Sequence, residues 1–188
     1  MLWITADFTG IGTALVHDGK VLFENRHGGE FGHNIVIPDG LPCVCGRRGC
    51  LEAYAAPRVL LTRARELLNR PDLSWMQLAE AYRRPDSPLR SAFAPDFRLF
   101  GLTLANAINN FPVDTVIISG SLSQLGDDFT APLTRLLGEI LFPAASRRFR
   151  LVCESPQPDD GAAGAARLAV EHTLASFANF SAACPAQG

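Results

Sequence analysis

The first part of the chain consists of short apolar runs separated by polar and glycine-containing turns. Leu2 to Ile4 and Thr13 to His17 predict two strands, because each run is short, apolar or β-branched, and bounded by turn residues. Asp18-Gly19 is a strong signal for a tight hairpin turn, and Val21 to Phe23 is then the returning strand. These positions predict an antiparallel meander with a glycine-containing bend at residues 7–12.

The middle of the chain has helical periodicity. Apolar residues between 51 and about 69 fall on one side of a helix, which Pro57 breaks or restarts. Residues 74–82 predict a second helix, with Ser74 as its N-cap. Residues 83–88 predict a turn, and residues 93–110 predict a third, long and mostly apolar helix.

The second half alternates strands with helices. Val113 to Gly120 is a nearly continuous β-branched run, which predicts a buried parallel strand that leads into a loop. A helix from Asp127 or Asp128 to about 140, a strand at 149–153 and a helix that opens at Asp160 follow. The small residues at 161–166 predict close packing of that last helix on the sheet. This alternation predicts an α/β fold.

Composition narrows the class of protein. The 188 residues are 47% hydrophobic and 19% charged, which is typical of a globular domain. We assign residues 1–176 to one lobe and expect a flexible tail at 177–188. A net charge of −2 argues against nucleic-acid binding by this chain alone. No leader sequence or membrane-spanning apolar run is apparent, and we expect a cytoplasmic protein that does not bind a membrane.

Three of the five cysteines fall close together at Cys43, Cys45 and Cys50, and His33 precedes them. One imidazole and three thiolates complete a tetrahedral shell for a structural Zn²⁺, with no position left for catalytic water. The alternative is a redox pair or three unrelated thiols. We favour zinc and call residues 30–52 the cysteine loop.

The same loop carries a family resemblance. Its motifs are E-F-G-H at 30–33 and C-V-C-G-R-R-G-C-L-E at 43–52, which resemble the signature of the ROK family (repressors, open reading frames, kinases). Further landmarks occur in the family's order: T-G-I-G at 9–12, D-G-K at 18–20, the helix-to-strand step at 110–120, and G-A-A-G-A-A at 161–166. The resemblance extends over nearly all of the chain.

The resemblance implies an actin-like ATPase (ribonuclease H-like) fold of two related lobes, of which this chain looks like the second. In the family, the first lobe supplies a nucleotide loop and an Asn-Asp pair whose Asp acts as general base. Repressor members also carry an N-terminal helix-turn-helix. Neither feature precedes Met1 in this sequence. We therefore assign no catalytic residue and expect DNA contact only through a helix-turn-helix that is absent here.

The resemblance also implies roles for individual residues. Glu30, His33 and Glu52 would contact a sugar or sugar phosphate, and His33 would in addition be a zinc ligand. Without the resemblance, both carboxylates would be read as solvated surface charges. The physical basis is that carboxylates accept charge-assisted hydrogen bonds from hydroxyl groups, while a metal holds the loop rigid.

The nucleotide site implied by the resemblance departs from the family's pattern. Thr9, Gly10, Gly12 and Gly120 are candidates for phosphate binding through backbone N–H groups, although a tight bend between strands explains them as well. Family kinases have a glycine where Phe8 stands, and two glycines where Gly120 is followed by Ser. Bound ATP and Mg²⁺ are therefore expected only if the chain is part of a kinase.

Three functions remain open from the sequence. The leading interpretation is the sugar-sensing, effector-binding half of a ROK transcriptional regulator that forms homo-oligomers. The alternative is the C-terminal lobe of a sugar kinase that transfers the ATP γ-phosphoryl group to a hexose or amino sugar. A zinc-stabilised assembly module without a ligand is the third.

Overall fold

A computed structural model describes residues 1–22, 28–111, 113–143, 149–154 and 159–183. Contacts divide the chain into two units, Met1–Ser155 and Pro156–Gly188. Phe23, at the end of the predicted third strand, and Cys184, in the predicted tail, lie outside the described residues.

The first unit is built on a mixed sheet. Its strands are β1 (Leu2–Asp7), β2 (Gly10–His17), β3 (Lys20–Val21), β4 (Thr115–Ser119) and β5 (Arg150–Cys153). The spatial order is β3-β2-β1-β4-β5. The β1–β2 and β2–β3 pairs are antiparallel, whereas β1–β4 and β4–β5 are parallel. The predicted α/β class is therefore confirmed.

The two turns of the meander differ from each other. At the β2–β3 turn, Asp18 and Gly19 both have positive φ, 49° and 75°, as the Asp-Gly signal predicts. The first bend is narrower than predicted, because Asp7 pairs with Gly10 and Thr5 with Gly12. Only residues 8 and 9 form the turn, and the glycines after it belong to β2.

Among the described residues, the first unit contains the helices α1 (Glu52–Ala55), α2 (Pro57–Leu67), α3 (Trp75–Arg83), α4 (Pro88–Asn110) and α5 (Asp127–Ile140). The predicted break at Pro57 is confirmed, since Ala56 is extended and Pro57 begins α2. Ser74 caps α3 in a capping box with Gln77, also as predicted. Short 3₁₀ turns lie at Phe31–His33 and Ser121–Leu125.

The long helix α4 begins earlier than predicted. We expected a turn through Pro88 and a helix from Phe93, but the helix begins at Pro88, after Ser87. The side chain of Ser87 accepts a hydrogen bond from the N–H of Leu89, and proline is well suited to the first helical position. The residues that looked like a turn are therefore the cap of the helix.

The main core lies between the sheet and helices of the first unit. Leu2, Ile4 and Ala6 of β1 are buried, while the residues between them are partly or fully exposed, so β1 has one core-facing side. Along β4, Val116, Ile118 and Ser119 are buried and the other two residues are half-buried. β4 pairs in parallel with both β1 and β5, as its apolar run predicts. Aromatic side chains fill the space between α3, α4 and α5: Tyr82, Phe93, Phe97, Phe100 and Phe129.

The second unit contains the helix α6 (Asp160–Ala183). This helix continues past residue 177, where we expected the tail to begin. The flexibility of residues 177–188 and the packing of α6 on the sheet stay predictions. Among the described residues, none of the helices combines the length and apolarity that a bilayer span requires.

Candidate metal and ligand site

The cysteine loop brings its four predicted ligands together. The ligand atoms of His33, Cys43, Cys45 and Cys50 all lie within 4.8 Å of one another. The Nδ1 atom of His33 is 3.6 Å from Sγ of Cys43, and the Sγ atoms of Cys45 and Cys50 are 3.7 Å apart. A tetrahedral ion with Zn–S bonds of about 2.3 Å and a Zn–N bond of about 2.0 Å needs edges of about 3.8 and 3.5 Å. The cluster could therefore hold a zinc ion.

Glycine makes the tight path of this loop possible. Gly46 and Gly49 have φ of 84° and 77°, a region that side chains other than glycine rarely adopt. A Cβ atom on Gly49 would overlap the carbonyl oxygen of Ile37, whereas one on Gly46 would meet nothing within 4 Å. The Gly49 N–H donates to the carbonyl of Leu41, and the Gly49 carbonyl accepts from Val36 and Ile37. The loop is thus held by main-chain hydrogen bonds as well as by its ligand cluster.

The thiols of the cluster differ in environment. Cys50 is fully buried, and burial raises its thiol pKa to about 11. Cys45 is exposed, and hydrogen bonds from Arg47, first from its backbone and then from its side chain, lower the pKa of that thiol to about 6. Arg47 also donates to the carbonyl of His33 at 3.0 Å. The Arg47 guanidinium therefore offsets negative charge at the cluster, while Arg48 instead donates to the carbonyl of Asp39.

His33 lies between the thiol cluster and Glu30, which the resemblance predicts as a sugar contact. Its Nδ1 atom faces Cys43, while its Nε2 atom is 3.9 Å from Oε2 of Glu30. The Glu30 side chain is 74% exposed and lies at the margin of a cavity of about 910 Å³. Apolar side chains from β2, β3, α4 and residues 35–36 line much of that cavity. The structure thus brings Glu30 and His33 together at an accessible surface.

Glu52, the third predicted sugar contact, lies in a different environment. Its side chain is 5% exposed, and Oε1 accepts a hydrogen bond from Arg58 at 2.8 Å. Oε2 accepts from the N–H of Ile11 at 3.3 Å. A Cβ atom on Gly32 would lie 3.0 Å from Oε2. Glu52 therefore lies directly beneath the 3₁₀ turn that carries His33, but it is a buried ion-paired carboxylate rather than a solvated one.

The four candidate phosphate residues lie in the β1–β2 turn, in β2 and directly after β4. Thr9 is at the exposed β1–β2 turn, and Gly10 and Gly12 are in β2. A Cβ atom on Gly10 would lie 2.6 Å from Oε2 of Glu52, so this glycine allows close packing on that carboxylate. Gly120 follows β4, and a Cβ atom there would lie 2.6 Å from the carbonyl oxygen of Ala6. Both close approaches explain these two glycines without a phosphate.

Three side-chain contacts link this turn to α3 and to the 3₁₀ turn at Ser121–Leu125. The rings of Phe8 and Trp75 meet edge to face at 5.7 Å, and Trp75 donates from Nε1 to the carbonyl of Ser121. The hydroxyl of Ser121 donates to the carboxylate of Asp7. A carboxylate and an aromatic ring therefore lie beside the candidate phosphate residues.

Arg58 and the partners of Asp7 and Phe8 were not predicted from the sequence. Arg58 lies six residues after Glu52 but on a separate helix, so no intrahelical spacing rule relates the two. Asp7 and Ser121 are 114 residues apart in the sequence. Only the parallel pairing of β1 with β4 brings them to the same edge of the sheet.

Comparison with known proteins shows the family. The profile of the ROK family matches residues 3–172, and the chain belongs to that family. The glucokinase of Thermotoga maritima is 29% identical over 177 residues, which cover 87% of this chain and 56% of the relative. The transcriptional regulator NagC of Escherichia coli is 31% identical over 125 residues, 61% of this chain and 30% of the relative. The chain thus spans roughly half or less of the length of these relatives.

Solved structures include both kinds of relative. A ROK-family transcriptional regulator homologous to the E. coli Mlc protein superposes with a TM-score of 0.71 at 25% identity, over 81% of this chain and 41% of that one. A ROK glucokinase from Streptomyces griseus, solved with glucose and AMPPNP, has a TM-score of 0.67 at 26% identity, over 81% of this chain and 54% of the other. These relatives confirm the predicted actin-like ATPase fold. Regulators and kinases both occur among them, so similarity alone leaves these two functions open.

Proposed function

We propose that this chain is the sugar-sensing half of a cytoplasmic ROK-family transcriptional regulator, with a structural zinc in the cysteine loop. The ligand is a hexose, an amino sugar or a phosphate of one of these. DNA contact belongs to a helix-turn-helix outside these 188 residues, and the regulator is a homo-oligomer. The glucokinase relative solved with glucose supports a sugar as the ligand.

The position of His33 carries the proposal. One ring nitrogen faces the thiol cluster and the other faces the carboxylate of Glu30. When the first nitrogen binds a metal, the second is left as a hydrogen-bond donor whose direction is set by the loop. His33 would donate to a sugar oxygen while Glu30 and Glu52 accept from neighbouring hydroxyls. Zinc would supply structural rigidity only, since four protein ligands leave it no open position.

The β1–β2 turn favours a regulator over a kinase. Phosphoryl transfer depends on groups that position and neutralise the transferred phosphate. Here the carboxylate of Asp7 and the ring of Phe8 lie beside the candidate phosphate residues. A like charge at that position repels a nucleotide phosphate. The kinase alternative is supported by the Thermotoga maritima glucokinase, which resembles this chain over most of its length.

Saturation-transfer NMR with glucose, N-acetylglucosamine and their 6-phosphates tests the proposed function. At least one sugar should bind to the zinc-loaded protein with a Kd of roughly 1 mM or weaker, which corresponds to about −4 kcal/mol. Glu30→Gln should weaken that binding. Glu80→Gln is the matched control, because Glu80 is a similarly exposed carboxylate on α3. Equal affinity of the two variants, or no saturation transfer with any sugar, would contradict the sugar-sensing role.

A coupled assay with ATP and Mg²⁺ tests whether this chain alone is catalytic. We expect no turnover of any of these hexoses above the blank, because the general base of family kinases is expected from the other lobe and none is assigned in these 188 residues. Measurable phosphorylation would support the kinase alternative instead.

A further inference from the structure

The carboxylate of Glu52 is held from two sides. Arg58 donates to Oε1 at 2.8 Å and the N–H of Ile11 donates to Oε2 at 3.3 Å. The positions of Gly10 and Gly32 let the main chain approach Oε2 closely. An ionised carboxylate has about four lone-pair sites, so roughly two remain for other donors. The Glu52 carboxylate can therefore keep both of these hydrogen bonds and still accept hydrogen bonds from sugar hydroxyls.

Arg58 is placed to provide the counter-charge for this carboxylate. It is the second residue of α2, immediately after Pro57, which fixes the start of that helix. Its side chain is one-third exposed, whereas that of Glu52 is almost fully buried. Removing one partner of a buried ion pair is strongly destabilising. Arg58 thus holds the Glu52 carboxylate in place, while its own partly exposed side chain remains near solvent.

We propose that Arg58 is a positioning residue of the sugar site: it holds the Glu52 carboxylate in place, turned toward the 3₁₀ turn that carries His33. This inference rests on the proposed sugar-sensing function. Its structural part, that Arg58 controls the placement of the Glu52 carboxylate, can be observed without any sugar, through the Ile11 amide that contacts the same carboxylate.

The chain contains a matched control on the same helix. Arg63 also pairs with a buried carboxylate, that of Asp96, which lies on α4. Both arginines are partly exposed, at 33% and 39%, and their acidic partners are 5% and 7% exposed. Arg63 additionally donates to the carbonyl of Ala92 and lies over the ring of Phe93. Its contacts are thus structural ones to α4, with none to the loop or to β2.

The experiment compares Arg58→Ala, Arg58→Lys, Arg63→Ala and Arg63→Lys in the zinc-loaded protein. Sugar affinity is measured by NMR titration, folding by thermal melts, and the Ile11 amide by its chemical shift and hydrogen exchange. Arg58→Ala should weaken sugar binding about tenfold, the effect of losing a hydrogen bond to a charged group. It should also shift the Ile11 resonance and speed its exchange, while Arg58→Lys restores most of both. The Arg63 variants should lower the melting temperature and leave sugar affinity and the Ile11 amide unchanged.

The outcomes separate this inference from the proposed function. An unchanged Ile11 amide in Arg58→Ala overturns the positioning role, whether or not a sugar binds. An equal loss of affinity in folded Arg58 and Arg63 variants overturns it too, because the effect is then general destabilisation. If the wild-type protein binds none of the sugars while Arg58→Ala still displaces the Ile11 amide, the proposed function fails and the placement of Glu52 by Arg58 stands. If Arg63→Ala does not fold, Arg63→Lys provides the comparison.

Discussion

The cysteine loop and the β1–β2 turn are connected through Glu52, which ends the loop and contacts Gly10 and Ile11 just after the turn, but their shapes have different causes. The loop depends on four convergent ligand atoms, glycines with positive φ and main-chain hydrogen bonds. The turn is a two-residue connection held by the Phe8–Trp75 and Asp7–Ser121 contacts. The loop thus contains the residues that the proposed metal and sugar sites require, whereas the side chains of Asp7 and Phe8 lie beside the candidate phosphate residues. This difference supports the proposal that the lobe recognises a sugar rather than a nucleotide.

The largest effect is expected when one of the cysteine ligands in the cysteine loop is replaced. Cys50→Ser should abolish stoichiometric zinc binding and destabilise the protein by about 4 kcal/mol, because a structural zinc contributes directly to folding free energy. That loss corresponds to a fall of roughly 8–16 °C in melting temperature for a chain of this size. Elemental analysis and thermal melts are the measurements. Cys153→Ser is the control, since Cys153 is a partly buried thiol in β5, apart from the cluster.

Acid should release the metal from the loop and leave the β1–β2 turn unaffected. In the metal-free protein the Cys50 thiol, with a pKa of about 11, is protonated at neutral pH, so metal binding displaces its proton. Zinc affinity should therefore fall by at least about tenfold for each pH unit of acidification, and more steeply below pH 6, where Cys45 also becomes protonated. Competition with a chromogenic chelator from pH 8 to 5 measures this slope. An affinity independent of pH would exclude thiolate ligands.

Two glycines of the loop allow a matched test of its backbone. Gly49→Ala combines a positive φ with overlap on the carbonyl of Ile37, and we expect a loss of about 3 kcal/mol or more. Gly46→Ala has a similar φ but open space around the new methyl group, and should cost only about 1 kcal/mol. Urea denaturation of the zinc-loaded variants measures both. Equal costs would mean that close packing at Gly49 does not contribute to the fold of the loop.

The smallest effects are expected at the β1–β2 turn. Asp7→Ala and Ser121→Ala should each cost about 1 kcal/mol, since they remove the same hydrogen bond. The double variant should be no worse than the worse single variant, which gives a coupling energy of about 1 kcal/mol in a double-mutant cycle. Additive losses would show that the two side chains do not interact. A gain in ATP affinity in either variant would indicate that their pair obstructs a nucleotide site.

Local sequence signals predicted those parts of the molecule that local chemistry decides. The spacing of His33 and the three cysteines gave the metal cluster, because soft ligands in one short segment have few other uses. The Asp18-Gly19 turn and the Ser74 cap were predicted for the same reason, since backbone conformation and side-chain hydrogen bonding there depend on neighbouring residues alone.

Contacts between distant segments were not predictable in this way. The pairing of Glu52 with Arg58 crosses the break at Ala56, and the Asp7–Ser121 hydrogen bond requires the β1–β4 pairing. Glu52 was predicted as a sugar contact, but its burial beneath Gly10 and Gly32 follows from how β2 packs on the loop. The burial and hydrogen-bond partners of Glu52 and Asp7 therefore follow from tertiary packing, which the local sequence does not show.

The most direct test of the account is a pair of NMR titrations on zinc-loaded, isotope-labelled protein, one with the best-binding sugar and one with Mg²⁺ and a non-hydrolysable ATP analogue. We predict sugar-dependent shifts of the amides of residues 30–33 and Glu52, and no nucleotide-dependent shifts at Thr9, Gly12 or Gly120. Saturable nucleotide shifts at those three residues, with none from any sugar at 30–33 and Glu52, would contradict the assignment of this lobe as a sugar sensor.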